Sequence, residues 1–479
     1  MTSVIPVGPT RLSRPIATTV AGIVASMVVY GYGRTALDEM AARSLAIFVL
    51  AAVFWTAEIL PLFGTALLVV VLQIILLAST GGLADEISGV LGVAEAAASE
   101  PPGTPISARA FIDPFASDVI MLFLGGFLLA GSMTRHGVDV ALAARVLRPF
   151  ARSSLALVYG LAALSAFFSM WMSNTATAAM MTALVAPLLA GLPDGHRFRW
   201  AILLAIAFGA NIGGIGTPIG TPPNAIAFDH LNRAGYPITF AGWMLIAVPL
   251  EVLLLAIVGG ILHARFGPES ERRLALPTVQ RPLSPRGKFT LGVLGLAIVL
   301  WLTGGQHGLA PGTVALLAAA TLMAGGAIGS QDIEAIDWKV LILMWGALSL
   351  GIGVERSGLA GYLAGADLGS LPGGFWSAGV VVALIGVTVS TFMSNTAAAA
   401  LLVPIALALA LPGREELAVV AALSCSFAMV MPVSTPPNAI AYGTGQVPRW
   451  AMIQAGGAVT AIAMALLLAG YHFILPLAF

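Results

Sequence analysis

The tripeptide Ser-Asn-Thr occurs twice inside long apolar stretches of this sequence, at residues 173–175 and 394–396. A serine stands four residues before each copy, at Ser169 and Ser390. A second motif then follows each copy, as Gly-Thr-Pro-Pro-Asn at 220–224 and Ser-Thr-Pro-Pro-Asn at 434–438, and both motifs continue as Ala-Ile-Ala. Small polar residues and paired prolines conflict with their apolar surroundings, and conflicts of this kind tend to mark function.

The residue types in these motifs suit the beginnings of helices. Ser, Asn and Thr side chains satisfy free amides at a helix start, and proline fits the first helical position. We therefore expect each tripeptide to open the return arm of a helical hairpin, and each Thr-Pro-Pro-Asn to open the second half of a broken helix. Four helix N-termini would then converge near the membrane midplane, where their partial positive charge and free amides bind anions.

Broken helices also expose carbonyl ends, which favour cations. The oxygen ligands expected for such a cation come from Ser169, Ser173, Asn174 and the carbonyl at Gly220 in the first half, and from Ser390, Ser394, Asn395 and the Ser434 carbonyl in the second. No carboxylate is expected at either place, which fits an exchangeable monovalent cation better than calcium or magnesium. The alternative is that small residues merely allow close helix packing, but this does not explain two linked motifs that both recur.

The composition is that of a polytopic membrane protein. Of the 479 residues, 58% are hydrophobic and 9% are charged, whereas soluble proteins carry about 25% charged residues. The formal net charge is +0, so nothing indicates nucleic acid as a partner. The single cysteine, Cys425, lies in an apolar stretch and is expected to act as a small buried hydrophobe. An apolar run from about Ile16 follows Arg11 and Arg14 without a clear cleavage site, which indicates a first membrane helix rather than a signal peptide.

Apolar stretches long enough to cross a bilayer, roughly 17–25 residues, predict an all-α fold with about eleven spans. They lie near 16–33, 42–58, 62–79, 117–134, 199–228, 240–264, 289–303, 311–328, 338–354, 416–445 and 451–475. Two further apolar regions, 155–191 and 376–411, carry the tripeptides at their centres and are interpreted as re-entrant hairpins. The alternative for each is a pair of complete spans with a polar kink.

The second half of the chain is expected to repeat the first. A shift of 221 residues (394 − 173) takes Ser173 to Ser394, Gly125 to Gly346 and Gly137 to Gly358. Each half holds five spans, and an odd number turns the second copy upside down, which is a transporter architecture. The predicted division is an N-terminal segment with the first helix (1–41), a first repeat (42–265), a cytoplasmic linker (266–288) and a second repeat (289–479). Within the repeats we expect scaffold helices at 42–116 and 289–337, transport elements at 117–239 and 338–450, and a closing helix at 240–265 and 451–479.

Lys and Arg set the expected orientation. With the N-terminus in the cytoplasm, the inner loops are rich in arginine and the C-terminus falls outside. The cations expected inside are Arg135, Arg145, Arg148, Arg152, Arg197, Arg199, Arg265, Arg272, Arg273, Arg281, Arg286 and Lys288. The long outer loop is acidic, with Asp85, Glu86, Glu95, Glu100 and Asp113. The first hairpin would then open inside and the second outside.

No Lys or Arg lies inside the hairpins or broken regions, so a multivalent anion at mid-membrane has no fixed counter-charge. Desolvating it would cost several kcal/mol or more, and cations carried with it would offset that cost. Proton coupling usually requires an intramembrane Asp, Glu or His. Glu58, Glu355 and Asp118 lie near span ends, where an interfacial role is the expected one, and His472 is expected to pack or cap near the outer surface.

The paired Ser-Asn-Thr and Thr-Pro-Pro-Asn-Ala-Ile-Ala motifs resemble those of the divalent anion/sodium symporter family, over nearly the whole chain. The resemblance implies a homodimer in the inner membrane of a bacterium, with transport domains that slide past a scaffold in an elevator mechanism, and two or more sodium ions. It also implies that the substrate carboxylates are bound by Asn174, Thr175, Thr221, Asn395, Thr396, Thr435 and Pro436. Two residues depart from the pattern: Thr221, where serine is frequent, and Ser434, where no hydroxyl is expected.

The resulting interpretation is a sodium-coupled importer of small dicarboxylates such as succinate, malate or fumarate. Two symmetric Asn-Thr pairs suit a molecule with an anionic group at each end. Two alternatives remain within transport: a dicarboxylate exchanger without net sodium coupling, and a sulfate or citrate carrier. A membrane-embedded enzyme would need an acid–base pair, an activated nucleophile or a metal cluster, and the serines of the motifs have no His, Lys or Asp nearby in sequence. A passive channel would favour a symmetric pore ring.

Overall fold

The computed structural model describes residues 16–78, 106–268, 282–365, 374–409, 411–473 and 475. This part of the chain is helical, and its β pairing is limited to an isolated bridge between Ala78 and Ile106. The all-α prediction is thus confirmed. The acidic residues expected at 85–100 and the arginines expected at 272–281 lie outside the described residues, as does the segment before Ile16.

The helices of the first half begin with three long apolar elements and end with a long helix after the second motif. Their bounds are α1 (Ile16–Gly33), α2 (Glu39–Ala57), α3 (Leu62–Leu77), α4 (Ala108–Ile112), α5 (Asp118–Arg135), α6 (Val138–Leu147), α7 (Ser154–Ser169), α8 (Asn174–Ala190), α9 (Arg197–Gly213), α10 (Pro222–Arg233) and α11 (Phe240–Phe266). Short 3₁₀ turns cover Asp113–Ala116, Arg148–Arg152 and Gly214–Gly216.

The second half follows a similar order. Its helices are α12 (Pro285–Leu302), α13 (Gly304–His307), α14 (Pro311–Ala324), α15 (Ser330–Glu334), α16 (Trp338–Arg356), α17 (Leu359–Ala364), α18 (Phe375–Phe392), α19 (Asn395–Ala408), α20 (Arg414–Ser426), α21 (Pro436–Gly443) and α22 (Arg449–Phe473). The chain turns between α7 and α8 and between α18 and α19, where hairpins were predicted. The helix is also interrupted between α9 and α10 and between α20 and α21, where breaks were predicted.

Eight helical segments of the described chain are long and apolar enough to cross a membrane. Three of the four hairpin arms, α7, α8 and α19, have only 14–17 residues. At 1.5 Å per residue such arms are about 21–26 Å long, less than the roughly 30 Å of a bilayer core. The predicted total of eleven spans remains a prediction.

The starts of these helices follow their local sequence. Ser153, Thr239 and Ser284 each accept a hydrogen bond from a backbone amide in the first turn of the helix that they precede. Proline occupies the first turn of α10, α12, α14 and α21. The capping oxygens bind backbone amides that a helix start leaves unpaired, and a proline removes one such amide.

The broken helices lie at the centre of the packed core. In the most apolar 18 residues of Arg197–Gly216, 94% of the residues are buried, against 33% in those of the long helix Phe240–Phe266. The second part of each broken helix packs on a hairpin arm of the other half: α10 packs on α19, and α21 packs on α8. Residues from both halves therefore meet in one place.

Two glycines allow helices of opposite halves to cross closely. A Cβ built on Gly125 of α5 would lie 2.5 Å from the carbonyl carbon of Ala315 on α14. A Cβ on Gly346 of α16 would lie 2.5 Å from the Cβ of Ala66 on α3. These are the two glycines that the 221-residue shift relates. The shift therefore pairs positions with the same packing role, each against a helix of the other half.

Candidate functional site

The first tripeptide forms the tip of the hairpin between α7 and α8. Ser169, the last residue of α7, donates its hydroxyl hydrogen to Asn174 Oδ1 at 2.6 Å and is fully buried. Ser173 caps α8, because its Oγ accepts the Ala176 amide at 3.2 Å. Asn174 is half-buried and Thr175 is exposed. The tip thus presents the start of α8 at an accessible surface, with the Ser169–Asn174 hydrogen bond partly buried beneath it.

The second tripeptide forms the equivalent tip between α18 and α19. Ser390 Oγ lies 2.6 Å from Asn395 Oδ1 and 2.6 Å from the Cys425 carbonyl oxygen. Both hairpins therefore join the last turn of the first arm to the first residue of the second arm through the same pair of side chains. Ser394 occupies the N-cap position, but its side chain makes no capping hydrogen bond. Thr396 is buried and Asn395 is half-buried.

The second motifs open α10 and α21, as predicted, with Thr221 and Thr435 at the N-cap positions. Thr435 Oγ1 accepts the Asn438 amide at 3.3 Å, whereas the Thr221 side chain makes no capping bond. All four motifs open a helix as predicted, but the side chains of Ser173 and Thr435 cap their own helices, whereas those of Thr221 and Ser394 do not. The hydroxyls of the latter two are not used by their own helix ends and so are left for other partners.

The asparagine of each second motif supports the unwound segment before its helix. Asn224 Nδ2 lies 3.0, 3.0 and 2.8 Å from the carbonyl oxygens of Gly214, Ile215 and Thr217. Asn438 Nδ2 lies 2.9 and 3.1 Å from those of Met429 and Met431. Both asparagines are fully buried. Their side-chain amides thus bind carbonyl oxygens that a continuous helix would bind through its own backbone. Both asparagines belong to the motifs, but this supporting role was not predicted from the sequence.

Asn211 joins the two halves at the site and was missed from sequence. It lies near the end of α9, and its Nδ2 donates to Thr435 Oγ1 at 3.0 Å and to Asn438 Oδ1 at 3.1 Å. Asn211 is 2% exposed. A buried asparagine two residues before the glycines that end an apolar helix was the available signal. Its bonds connect the first broken helix directly to the second.

Oxygen atoms converge around Gly220, the glycine that precedes Thr221. A Cβ added to Gly220 would lie 2.4 Å from the Gly214 carbonyl oxygen and 3.1 Å from that of Ser169. A Cβ added to Gly214 would lie 2.6 Å from Asn174 Oδ1. Ser169, Asn174, Gly214 and Gly220 therefore form one small cradle of oxygen atoms, and Ser173 caps the neighbouring helix α8. Neutral oxygens in this arrangement fit a monovalent cation such as sodium.

The second half gathers the Ser390 hydroxyl, the Asn395 amide oxygen and the Cys425 carbonyl within 2.6 Å contacts. Ser434 stands where the first half has Gly220, and its hydroxyl donates to the Met431 carbonyl at 2.7 Å. The extra hydroxyl of Ser434 is thus engaged within its own turn. Pro436, the first residue of α21, is exposed. The described residues contain no group of three or more His, Cys, Asp or Glu side chains arranged to hold a metal.

The fold brings a carboxylate to the first unwound segment, which corrects the expectation that none is present there. Glu251 of α11 is 4% exposed, and a Cβ built on Gly216 would lie 2.2 Å from its Oε2. Within the described residues Oε2 has no hydrogen-bond partner. Glu251 follows Pro249 in the middle of an apolar helix, a signal that was visible in the sequence and was not used.

A stack of three aromatic rings connects the first hairpin tip to helices outside it. Trp171 lies between the tip residues Met170 and Met172, and its ring centroid is 5.9 Å from that of Trp301 on α12. Phe240 of α11 is 5.2 Å from Trp301 and 6.3 Å from Trp171. All three rings are within 11° of parallel. The hairpin tip therefore rests against α11 and α12.

The chain is similar to bacterial transporters over most of its length. It is 34% identical to a Haemophilus influenzae protein named as an uncharacterized transporter, over 88% of each chain. It is 30% identical to the sodium-dependent dicarboxylate transporter SdcS of Staphylococcus saprophyticus, over 92% of this chain and 87% of that protein. The Staphylococcus aureus (strain USA300) protein of the same name is 29% identical, over 90% of this chain and 86% of the relative.

Two solved transporter structures share the fold. The YdaH transporter of Alcanivorax borkumensis matches with a TM-score of 0.56 and 17% identity, over 85% of this chain and 98% of that one. MtrF of Neisseria gonorrhoeae matches with a TM-score of 0.52 and 11% identity, over 88% and 96%. At these identities the similarity concerns architecture alone. The family model described as the sodium:sulfate symporter transmembrane region matches residues 15–478. Because this match spans nearly the whole chain, as the paired motifs predicted, the protein belongs to the sodium:sulfate symporter family.

Proposed function

We propose that this protein is a sodium-coupled secondary transporter that imports small dicarboxylates such as succinate, malate and fumarate across a bacterial inner membrane. Staphylococcal relatives at 29–30% identity are named sodium-dependent dicarboxylate transporters. The observation that carries the proposal is the pair of matching hairpin tips, each with a serine hydroxyl 2.6 Å from an asparagine oxygen, on two halves tied by Asn211. Two matching tips, one from each half, suit a substrate with two equivalent charged ends.

In this proposal the substrate carboxylates bind at the beginnings of α8, α10, α19 and α21. The contributing residues are Asn174, Thr175, Thr221, Asn395, Thr396, Thr435 and Pro436. The free hydroxyl of Thr221 and the accessible first turn of α8 support this assignment. Free amides and the partial positive charge at a helix start recognise an anion without a basic side chain.

Sodium binds behind the tips. In the first half the ligands are Ser169, Ser173, Asn174 and Gly220, and in the second half Ser390, Ser394, Asn395 and Ser434. When bound, each ion supplies a positive charge next to the substrate. Asn174 and Asn395 belong to both the sodium ligands and the substrate-binding residues. An ion that binds the side-chain amide oxygen therefore turns the amide nitrogen towards the substrate. Cation binding thereby orients the anion site.

The proposed movement is an elevator, in which α5–α10 and α16–α21 slide against α2, α3, α12 and α14, with α11 and α22 as connections. Gly137 and Gly358, which the 221-residue shift relates, both begin a short helix with positive φ (64° and 85°), which supports an internal repeat. We further propose that the repeats are inverted, that the protein is a homodimer, and that the N-terminus is cytoplasmic and the C-terminus external.

The test is uptake of labelled succinate into proteoliposomes with and without an inward sodium gradient. Symport predicts accumulation only with the gradient. Counterflow of succinate at full rate without sodium would refute symport and support an exchanger. Because the family description names sulfate, competition by sulfate, citrate and malate belongs in the same assay. Stronger inhibition by sulfate or citrate than by malate would replace the dicarboxylate assignment.

A further inference from the structure

Glu251 lies in the middle of α11, with 11 helical residues before it and 15 after it (Phe240–Phe266). At 1.5 Å per residue this places it more than about 15 Å from either helix end. It is 4% exposed, its Oε2 has no hydrogen-bond partner among the described residues, and none of the ion pairs found there includes it. An ionised carboxylate at this depth without a partner is strongly disfavoured.

The equivalent position in the second half is filled differently. Glu251 is the twelfth residue of α11, and Thr460 is the twelfth residue of α22 (Arg449–Phe473). Thr460 Oγ1 donates to the Phe427 carbonyl at 2.8 Å and accepts the Met429 amide at 3.4 Å. A neutral hydroxyl therefore satisfies the unwound segment of the second half. In the first half an acid replaces it, although a small polar residue is sufficient for the structure.

The segment that Glu251 faces presents carbonyl oxygens. The Ile215 carbonyl accepts hydrogen bonds from Trp243 Nε1 and Asn224 Nδ2, both at 3.0 Å. An ionised carboxylate offers only acceptors, whereas a protonated one also offers a donor. The carbonyl oxygens of this segment repel an ionised carboxylate and are compatible with a protonated one.

Within the described part of the chain, no other charge compensates Glu251. The elements that pack on α11 are α7, α9, α12, α22 and the turn Gly214–Gly216. Their described titratable and charged residues, with those of α11 itself, are Tyr159, Arg197, Arg199, Arg286, Lys288, Arg449, Tyr471, His472, His263 and Arg265. Of these, Tyr159 is the one remote from helix ends, and its hydroxyl donates to the Ala256 carbonyl at 2.9 Å.

We propose that Glu251 is a proton-binding site that must be occupied for the loaded transporter to cross the membrane. This inference rests on the proposed function. Gly216, which contacts Glu251, is two residues from Gly214, which contacts Asn174. Since consecutive Cα atoms are about 3.8 Å apart, the two glycines are within about 8 Å. An ionised Glu251 would cancel the charge supplied by a nearby cation and repel a dianionic substrate. Protonation removes both effects.

The proton moves between water and the carboxyl oxygen, with no other bond made or broken. Uptake by the wild type should therefore fall as the pH rises, by up to about tenfold per pH unit once Glu251 ionises. Glu251→Gln is permanently neutral and nearly the same size, so its uptake should stay flat and exceed that of the wild type at alkaline pH. A gain of rate in the variant does not arise from misfolding. Glu251→Asp should restore a pH dependence.

Infrared spectra of the reconstituted protein test the proton directly, without substrate or a gradient. At neutral pH the wild type should show a protonated carboxylic acid signal that Glu251→Gln lacks. Glu416→Gln is a matched control, because Glu416 is also buried with an unpartnered Oε2 but lies in the first turn of α20, on a different helix from Glu251. This control should keep the wild-type pH profile of uptake.

Two outcomes overturn the inference: the same acid signal in wild type and Glu251→Gln, or the same falling pH profile of uptake in both. The proposed function fails separately, through absence of sodium-driven succinate uptake in the wild type at any pH. In that case the infrared signal still reports whether Glu251 is protonated. The two proposals are therefore decided by different measurements.

Discussion

Gly220→Ala offers the most specific test of the proposed first cation site. The added Cβ would meet backbone atoms only, at 2.4 Å from the Gly214 carbonyl oxygen, 3.0 Å from its carbon and 3.1 Å from the Ser169 carbonyl oxygen. Backbone atoms cannot rotate away as a flexible side chain does. The backbone angle of Gly220 is not in the positive-φ region, so the effect of the substitution comes from space alone.

The size of the effect follows from these distances. Ordinary van der Waals contact begins near 3.4 Å, so the Gly214 carbonyl must move by about 1 Å (3.4 − 2.4). Overpacking of this kind costs about 1–3 kcal/mol, and the displaced carbonyl is one of the oxygens that surround the cradle. We expect the sodium concentration for half-maximal uptake to rise by roughly 5- to 150-fold, with maximal uptake at saturating sodium largely retained.

The assay is the sodium dependence of labelled succinate uptake in proteoliposomes, with Ser434→Ala as the matched control. Ser434 occupies the corresponding position and already carries a Cβ, so its substitution removes only the hydroxyl bonded to Met431 and keeps the backbone carbonyl that is the expected sodium ligand. That loss is worth about 1 kcal/mol. A wild-type sodium dependence in Gly220→Ala, with correctly folded protein, would refute the assignment of this cradle as a cation site.

Four further substitutions test the site and its supports. Asn174→Ala and Asn395→Ala should each abolish sodium-driven succinate uptake while the protein still inserts in the membrane, because each asparagine serves both a cation and the substrate. Asn211→Leu should lower the unfolding free energy by about 2 kcal/mol, measured by thermal unfolding in detergent, since it leaves Thr435 without its partner from the first half. Trp301→Ala should cost about 3 kcal/mol, because it removes one of the three near-parallel aromatic rings that pack at the first hairpin tip.

Controls separate these effects from general damage. Asn232→Ala removes hydrogen bonds to Phe228 and Ile238 outside the tips, so it should lower stability and keep the sodium dependence. Trp301→Phe should keep most of the stacking and stability. Normal uptake by Asn174→Ala or Asn395→Ala would contradict the substrate assignment. A wild-type unfolding temperature in Asn211→Leu would contradict the tie between the halves.

Much of the architecture was readable in the sequence. Apolar length identified the helices, and the helix starts at 174, 222, 395 and 436 fall where capping residues and paired prolines predicted them. The repeat of two linked motifs indicated that both halves contribute similar elements. These features depend on local chemistry, such as missing amides and side-chain oxygens next to a helix start, and local chemistry is carried by neighbouring residues.

The capping bonds show where local rules stop. All four predicted N-caps occupy that position, but Thr221 and Ser394 do not bond to their own helix. Whether an N-cap hydroxyl bonds to its own helix or to another residue depends on its neighbours in space. For Thr435 the neighbour is Asn211, 224 residues away in the chain. No pattern of adjacent residues contains that contact.

The sequence by itself therefore determined that the protein is a helical membrane transporter with two hairpins and two broken helices. The tertiary structure decided which side chains meet: Asn211 with the second broken helix, Trp171 with Trp301, and Glu251 with the first unwound segment. Periodicity and motif spacing describe what each segment can form alone. The charge at the candidate site also depends on helices that are distant in sequence. The packing of α11 brings Glu251 next to the first unwound segment, although the motifs themselves contain no acidic residue.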